Sequence, residues 1–546
     1  MKRYLSKIIV LIIAIIIVNL VASKIYSRID LTKDERYTLS ETTETILSKL
    51  VENAIIKVYL EGDFPAEFKR LQTETKQHLE ELKAINKNVK FRFVEPLELA
   101  EDLIKQGLQP SRLSVQEGGK LSEAVIFPWA TIEYKDKIEN ISLLANQTSG
   151  TQEEQLQNSI ENLEYTFSDA IHKISKENKH KIAVLRGNGE LENIYLASFL
   201  MQLGQYYKLA QFTLDSVINN PTTTLKKLTE YDLAIIAKPS EKFTEEEKFT
   251  LDQFIMNGGK SLWLIDNVTA ELDSLMETGQ TLTFNRDLNI TDLLFNYGVR
   301  INYDLIRDIN SSTIRLASGN VGNQTQYQDF LWPYHPVITS KNDHPITKNI
   351  DPVNLRFGNT IDTLKNNISK TILLESSNFS KPIGTPNIIA LEDISKKPLP
   401  EDYNDGNQIM GVLLEGEFLS AYKNRVKPFI SEIYKDKSED NKMIIISDGD
   451  IIANQVHQEQ PLELGLDKWT NIHYGNATFL MNTINYMLDD SGLLKIRSKN
   501  IQLKFLDKQK AFAKRSYYQF LNVLFPLIIL AVFGFTYHFL RKKKYS

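Results

Sequence analysis

The chain has 546 residues, 42% hydrophobic and 24% charged, a globular balance that excludes wholesale disorder and leaves room for two or three separate cores. It contains no cysteine, which removes disulfides, thiolate catalysis and Cys-ligated metals together. The formal charge is −5, and setting aside the cations beside two apolar runs leaves the body more acidic still, the wrong sign for nucleic acid.

The first apolar run, 8–22, follows Lys2, Arg3 and Lys7 and reads as an uncleaved anchor within residues 1–27, although Val21-Ala22-Ser23 also suits cleavage of a signal peptide. Ser40 then caps a helix whose apolar side is Ile46, Leu47 and Leu50. A strand over 55–60, an amphipathic helix over 67–85 and a strand over 89–94 follow, and 121–134 with 137–144 alternate as a hairpin about Lys135-Asp136. A long helix over 153–175 places Ile160, Leu163, Phe167, Ile171 and Ile174 on one face. Residues 28–178 thus form an exported α/β module of thioredoxin-like size, without a Cys-x-x-Cys.

A second α/β domain is expected over 179–495. Its first strand, 181–185, leads through Arg186-Gly187-Asn188-Gly189-Glu190 into a helix carrying Leu196, Phe199, Leu200 and Leu203. The stretch 231–266 organises this domain. An apolar strand over 233–237 is stopped by Pro239, and Thr244 with Glu247 forms a capping box. Leu251, Phe254 and Ile255 share a helical face, Gly258-Gly259 closes the helix, and a second apolar strand, 261–265, ends in Asp266. Two buried strands joined by a helix imply a parallel sheet. Residues 270–430 read as a long insertion with short strand-like runs at 298–301, 371–374 and 411–414. Order returns with a strand over 442–446, Ser447-Asp448-Gly449-Asp450 and a closing helix over 477–488. A connector, 496–516, leads to the segment 517–546, whose apolar run 520–540 would span about 30 Å as a helix. Tyr517, Tyr518 and Tyr537 suit the interfaces, and Arg541-Lys542-Lys543-Lys544 follows. Basic clusters on the outer flank of both runs put both termini in the cytoplasm and carry the body between them across the membrane.

Three places invite chemistry. The loop with Arg186, Gly187, Gly189 and Glu190 has the geography of a phosphate-binding turn but no complete glycine motif, and Glu190 would repel an anion; it is either a tight turn or one wall of a ligand crevice. Asp448 and Asp450 at a strand's end are either Mg²⁺ or Ca²⁺ ligands, joined by Asp266 if its strand is a neighbour, or the caps of a glycine turn. His335, His344 and His473 lack metal-ligand spacing, and the proline-flanked His335 and His344 read as shaping loops rather than binding metal. No G-x-S-x-G elbow and no Walker motif occur, so no catalytic constellation, ATPase site or cofactor is expected. Pro526 and Gly534 would bend or thin the last helix where it docks on other membrane helices, or are simply tolerated there.

The motifs Asp30-Leu31-Thr32, Arg36-Tyr37-Thr38-Leu39-Ser40, Ala237-Lys238-Pro239, Asn257-Gly258-Gly259-Lys260, Ser447-Asp448-Gly449-Asp450, Lys468-Trp469-Thr470, Tyr474-Gly475-Asn476 and 485–490 follow one another in an order that resembles the GldG family of gliding-motility-associated ABC transporter auxiliary proteins. The resemblance covers nearly the whole chain. It implies tandem exported α/β domains between two transmembrane helices, the second related in fold to class I glutamine-amidotransferase-like and intraflagellar-transport-like domains. It also implies a role beside a multi-span permease and a separate cytoplasmic ATPase. The amidotransferase nucleophile would be a cysteine, so catalysis does not carry over. Three readings stand: a non-catalytic subunit of an ABC complex, a module binding a small solute or cell-wall glycan, and a metal-dependent hydrolase using Asp266, Asp448 and Asp450.

Overall fold

The computed structural model describes residue 19 and residues 38–62, 66–117, 120–145, 151–176, 179–322, 324–395, 398–489, 491–493, 496 and 508–545. Apart from Asn19, the apolar run 8–22 lies outside the described residues, as does most of the connector 496–516. The chain divides into two units, Met1–Lys499 and Asn500–Ser546. It is a mixed α/β protein.

Near the start, Ser40 caps α1 (Glu41–Ser48), its Oγ accepting the Thr43 N–H at 3.2 Å. β1 (Ala54–Val58) and β2 (Val89–Phe93) run parallel, joined by α2 (Ala66–Ile85). A hairpin of its own, β3 (Ser111–Glu117) with β4 (Lys120–Ile126), precedes β5 (Trp129–Tyr134) and β6 (Lys137–Ser142). The sheet order is β2-β1-β5-β6, with β5 antiparallel to both β1 and β6. The turn at Lys135-Asp136 is where the alternation puts it, but the run 121–134 is two strands, not one. Pro128 breaks it, having no N–H for a ladder. The helix over 153–175 is likewise divided, into α3 (Gln152–Glu161) and α4 (Leu163–Ser175), by a single turn residue, Asn162. Its apolar face is buried as the spacing requires. Buried Glu164 fastens α1 to α4, accepting the Ser40 N–H at 2.7 Å and the Thr43 hydroxyl at 2.9 Å.

The central sheet is built from β7 (Lys181–Arg186), α5 (Asn193–Tyr206), β8 (Lys208–Thr213), β9 (Leu233–Ala237), α6 (Glu245–Met256) and β10 (Lys260–Leu264). A long hairpin, β11 (Ser311–Val321) and β12 (Gln324–Ile338), follows, then β13 (Ser369–Glu375), β14 (Ile409–Leu419), β15 (Lys437–Ile446) and α7 (Asn476–Leu488). The strand order is β13-β14-β15-β10-β9-β7-β8. From β15 to β8 every pairing is parallel, and β14 and β13 add antiparallel strands at one edge. The runs at 371–374 and 411–414 therefore belong to the central sheet, whereas Val299–Ile301 pairs locally with Ile361–Thr363. Alternate residues of each central strand feed two cores. Ala183, Ile236, Trp263 and Ile445 pack under α6, and Val184, Ile235, Leu264 and Ile446 pack under α5 and α7.

The spacing predicts one apolar face for α6, yet every residue from Glu247 to Met256 is buried. Residues after β14 close over its polar side. Asp252 there accepts from the Tyr297 hydroxyl at 2.8 Å, the Ser420 hydroxyl at 2.7 Å and the Ala421 N–H at 2.9 Å, so its burial leaves no bare carboxylate.

In the second unit, Arg515–Lys544 forms one helical run of 30 residues, and among the described residues it is the helix long and apolar enough to cross a membrane. A π-helical turn, Phe520–Leu524, lies just before Pro526. The proline has no N–H to donate and its ring crowds the preceding turn, and a widened turn accommodates both. A Cβ at Gly534 would meet nothing within 4 Å.

The two glycines that end α6 act differently. Gly258 takes φ +98° with open space around it, while a Cβ on Gly259 would lie 2.3 Å from the Phe254 ring. Gly258→Ala should therefore cost about 1 kcal/mol of backbone strain, and Gly259→Ala about 2–3 kcal/mol through overpacking of the Phe254 site. Chemical denaturation of the full chain in detergent checks the order; equal costs would contradict the packing argument.

Candidate functional site

At the carboxyl edge of the parallel sheet the ends of β9, β10 and β15 lie side by side, which brings together residues distant in sequence. Asp266 follows β10, and Asp448 and Asp450 follow β15. The three candidate aspartates do converge. Between them lies an ammonium group. Lys238, just past β9, places Nζ 2.8 Å from both carboxylate oxygens of Asp450, 2.9 Å from Glu271 and 3.5 Å from Asp266. Its backbone is left-handed, at φ +53°, and its N–H donates to the Leu264 carbonyl at 2.9 Å. Gly449 makes room for it, since a Cβ there would sit 2.5 Å from Lys238 Cγ.

The remaining carboxylate oxygens are used by backbone. Asp266 accepts the Gly449 N–H at 2.5 Å, and Asp448 accepts the N–H of Asp450 and of Arg356, each at 2.7 Å. Burial pushes Asp266 up to about 6 even with Lys238 beside it. Burial, then Asp266 and Asp450, raise Asp448 well above the usual carboxylate range. For Lys238, burial works against the charge, but Asp450, Asp266 and Glu271 outweigh it and hold the ammonium protonated. The arrangement is a satisfied ion cluster. Among the described residues no group of His, Asp and Glu has a metal-holding arrangement.

The loop after β7 is held mostly by its own contacts, although among the described residues Asn188 Oδ1 and Glu190 Oε1 are buried without a hydrogen-bond partner. Gly187 and Gly189 take φ +118° and +68°, and Arg186 donates to Asn193 Oδ1 at 2.7 Å. Asn188 is buried, its side chain donating to Glu247 at 3.1 Å and its carbonyl accepting the N–H groups of Ser240 and Glu241. Glu190 accepts the Asn188 N–H at 2.9 Å. Its carboxyl is raised by burial and lowered by the amides of Glu190, Asn188 and Gly187. Glu190 thus occupies the amide nest that a phosphate would need.

A cleft of about 620 Å³ opens beside the ion cluster, lined by Lys238, Glu271, His335, Arg356, Asp450 and Trp469 among others. A second cavity, of about 460 Å³, lies between β6 and α4 on one side and α5 and α7 on the other. There Lys173 pairs with Asp169 at 2.6 Å and stands 3.8 Å over the Tyr206 ring, so its charge is already met. His344 lies in a turn, its Nδ1 accepting the Ile346 N–H at 3.3 Å. His335, expected in a loop, is instead a buried residue of β12. Its flanking prolines are tolerated because the β11–β12 register slips between Ser311 and Thr313, opposite that stretch. Lys238, Arg356 and the burial of His335 were not legible as site features.

A family model described as an ABC-type uncharacterized transport system matches residues 179–483, more than half of the chain. The chain belongs to this ABC transport auxiliary family. A domain of unknown function matches residues 33–133. An uncharacterized protein of Borreliella burgdorferi is 22% identical over 526 residues, which cover 95% of this chain and 94% of that protein. The N-terminal domain of mmIFT52 aligns structurally with a TM-score of 0.33 and 16% identity, over 57% of this chain and 98% of that domain. The auxiliary domain thus holds both the central sheet and the ion cluster at its carboxyl edge.

Because folded Asp266 titrates near 6, above its unfolded value near 3.8, the folded chain keeps a proton that the unfolded chain releases in that window. Stability should therefore fall as pH rises from about 4 to about 6, by up to roughly 3 kcal/mol from this group, and Asp448, raised in the same direction, extends the fall to higher pH. Asp266→Asn should flatten that slope in pH-dependent denaturation; an unchanged slope would place the titrating group elsewhere.

Proposed function

We propose that this chain is a non-catalytic, membrane-anchored auxiliary subunit of an ABC transporter complex. The observation that carries the reading is a transport-auxiliary domain on the same chain as an apolar helix, Arg515–Lys544. The sequence has no Walker motif, so the ATPase is a separate cytoplasmic chain. One apolar helix, or two with the run at 8–22, is too few to enclose a transport path, so a multi-span permease is the second partner. In this reading both termini are cytoplasmic at the inner membrane of a bacterium, residues 28–178 and 179–495 are periplasmic, and Pro526 and Gly534 shape the face that meets the permease. The motif order after residue 30 supports placing the complex in gliding motility.

A second reading, a module that binds a periplasmic solute or glycan, is favoured by the cleft of about 620 Å³ at the carboxyl edge. Lys238 between Asp266 and Asp450 weighs against a metal-dependent hydrolase, because a divalent ion would have to displace a paired ammonium.

Extraction in mild detergent with a tag after Ser546 tests the subunit reading. A permease and an ATPase should co-purify in fixed proportion, and Gly534→Leu should lower their recovery several-fold without moving the melting temperature. A solitary protein under conditions that keep other transporter complexes intact would contradict it.

A further inference from the structure

One part of the cleft is prepared for a ligand rather than filled by the protein. The slip in the β11–β12 register carries His335 to the cleft wall, where it is only 3% exposed and stacks edge-on against Phe357 with ring centroids 5.1 Å apart. Among the described residues its Nε2 has no hydrogen-bond partner. Burial, with the nearby Arg356 charge, holds the imidazole well below its ordinary range and therefore neutral. A buried imidazole nitrogen without a partner costs free energy that a bound group would recover.

The segment opposite is held in place by its backbone. The Leu355 N–H donates to the Pro336 carbonyl, the Phe357 N–H to the Tyr334 carbonyl, and the Arg356 N–H to Asp448. Phe357 takes φ +52°, a strained conformation for an aromatic residue and of the kind found at binding sites. Arg356 is half-buried on the cleft wall, and among the described residues no acceptor meets its guanidinium. Asp450 holds Lys238, and Asp467 accepts the Trp469 N–H at 3.1 Å and the Thr470 hydroxyl at 2.7 Å. Two residues before Arg356, Asn354 also lines the cleft, and its buried Oδ1 has no hydrogen-bond partner among the described residues. Half-exposed Trp469 stands in the same lining.

We infer that this cleft binds a small carboxylate. The free guanidinium of Arg356 takes the anion in a two-pronged contact. Asn354 Oδ1 accepts from a hydroxyl or amide N–H on the adjoining atoms, and His335 Nε2 meets a second polar group there. A phosphate dianion fits less well, because Glu271, Asp273, Asp450 and Asp467 line the same cleft and Asn354 Oδ1 offers another acceptor. The assignment deepens the solute-binding reading and is independent of the transporter partnership, so its failure leaves the subunit reading standing.

Calorimetric titration of the full chain in detergent tests it, with lactate, N-acetylglycine and glycylglycine as probes and their amides as matched controls. At least one acid should bind saturably, and its amide at least about tenfold more weakly, the loss expected when a charge-assisted hydrogen bond goes. Arg356→Gln should cost a similar factor. His335→Phe, which keeps the ring packing on Phe357, should weaken binding about three- to tenfold while preserving the preference for acid over amide. No saturable binding of any acid at about 10 mM, equal binding of acid and amide, or unchanged affinity in Arg356→Gln would overturn the assignment. The comparison of acid with amide uses the unaltered protein, so it holds even if a variant fails to fold.

Discussion

The carboxyl edge of the central sheet depends on one buried ammonium group. A parallel sheet delivers the ends of neighbouring strands to a common line, and here that line collects buried Asp266 and Asp448 with part-buried Asp450. Like charges so placed cannot all ionise without a cation. Lys238 supplies it from the adjacent strand, at the cost of a left-handed backbone, and Gly449 gives the lysine stem its space. The cluster joins β9, β10 and β15 through side chains where the main-chain ladder has ended, and through Glu271 it ties in the chain that leaves the sheet. Removing Lys238 leaves buried Asp266 and Asp450 without their cation, and removing Asp450 leaves the ammonium only half-exposed Glu271 and the more distant Asp266, which is why such clusters are costly to break even when they add little net stability.

Much of the architecture is readable from residue patterns, and the reason is local. The strands over 233–237 and 261–265, the capping box of Thr244 and Glu247 and the glycine pair after α6 are each set by neighbours within a few positions. What escapes is non-local. The polar side of α6 looks solvated until the chain after β14 folds over it. β11 and β12 are long and polar at their tip, with no apolar alternation to mark them. The convergence of Asp266 with Asp450 could be stated only as conditional on strand order, and the partner that satisfies them, Lys238, reads in sequence as an ordinary lysine before a proline.

The same limit applies to the cleft. Arg356 and His335 come from separate segments, and neither sits in a motif with recognisable spacing. Only the fold reveals that, among the described residues, one is a cation without an acceptor and the other a buried ring nitrogen without a partner. The loop after β7 shows the opposite case. Its glycines suggest a phosphate cradle, and the structure fills that cradle with Glu190. At this carboxyl edge the acids meet an ammonium group, the glycine turn is held by its own carboxylate, and a cleft opens beside them.

The central physical claim is that Lys238 and Asp450 are energetically one unit holding the edge of the sheet. A double-mutant cycle on the full chain, with Lys238→Met, Asp450→Leu and the pair, measured by denaturation at pH 7.5, tests it most directly. Each single change should destabilise by about 3–5 kcal/mol, and the double change should cost clearly less than the two combined. Small and strictly additive single effects would contradict the account and would reopen the carboxylates as a site awaiting some other cation.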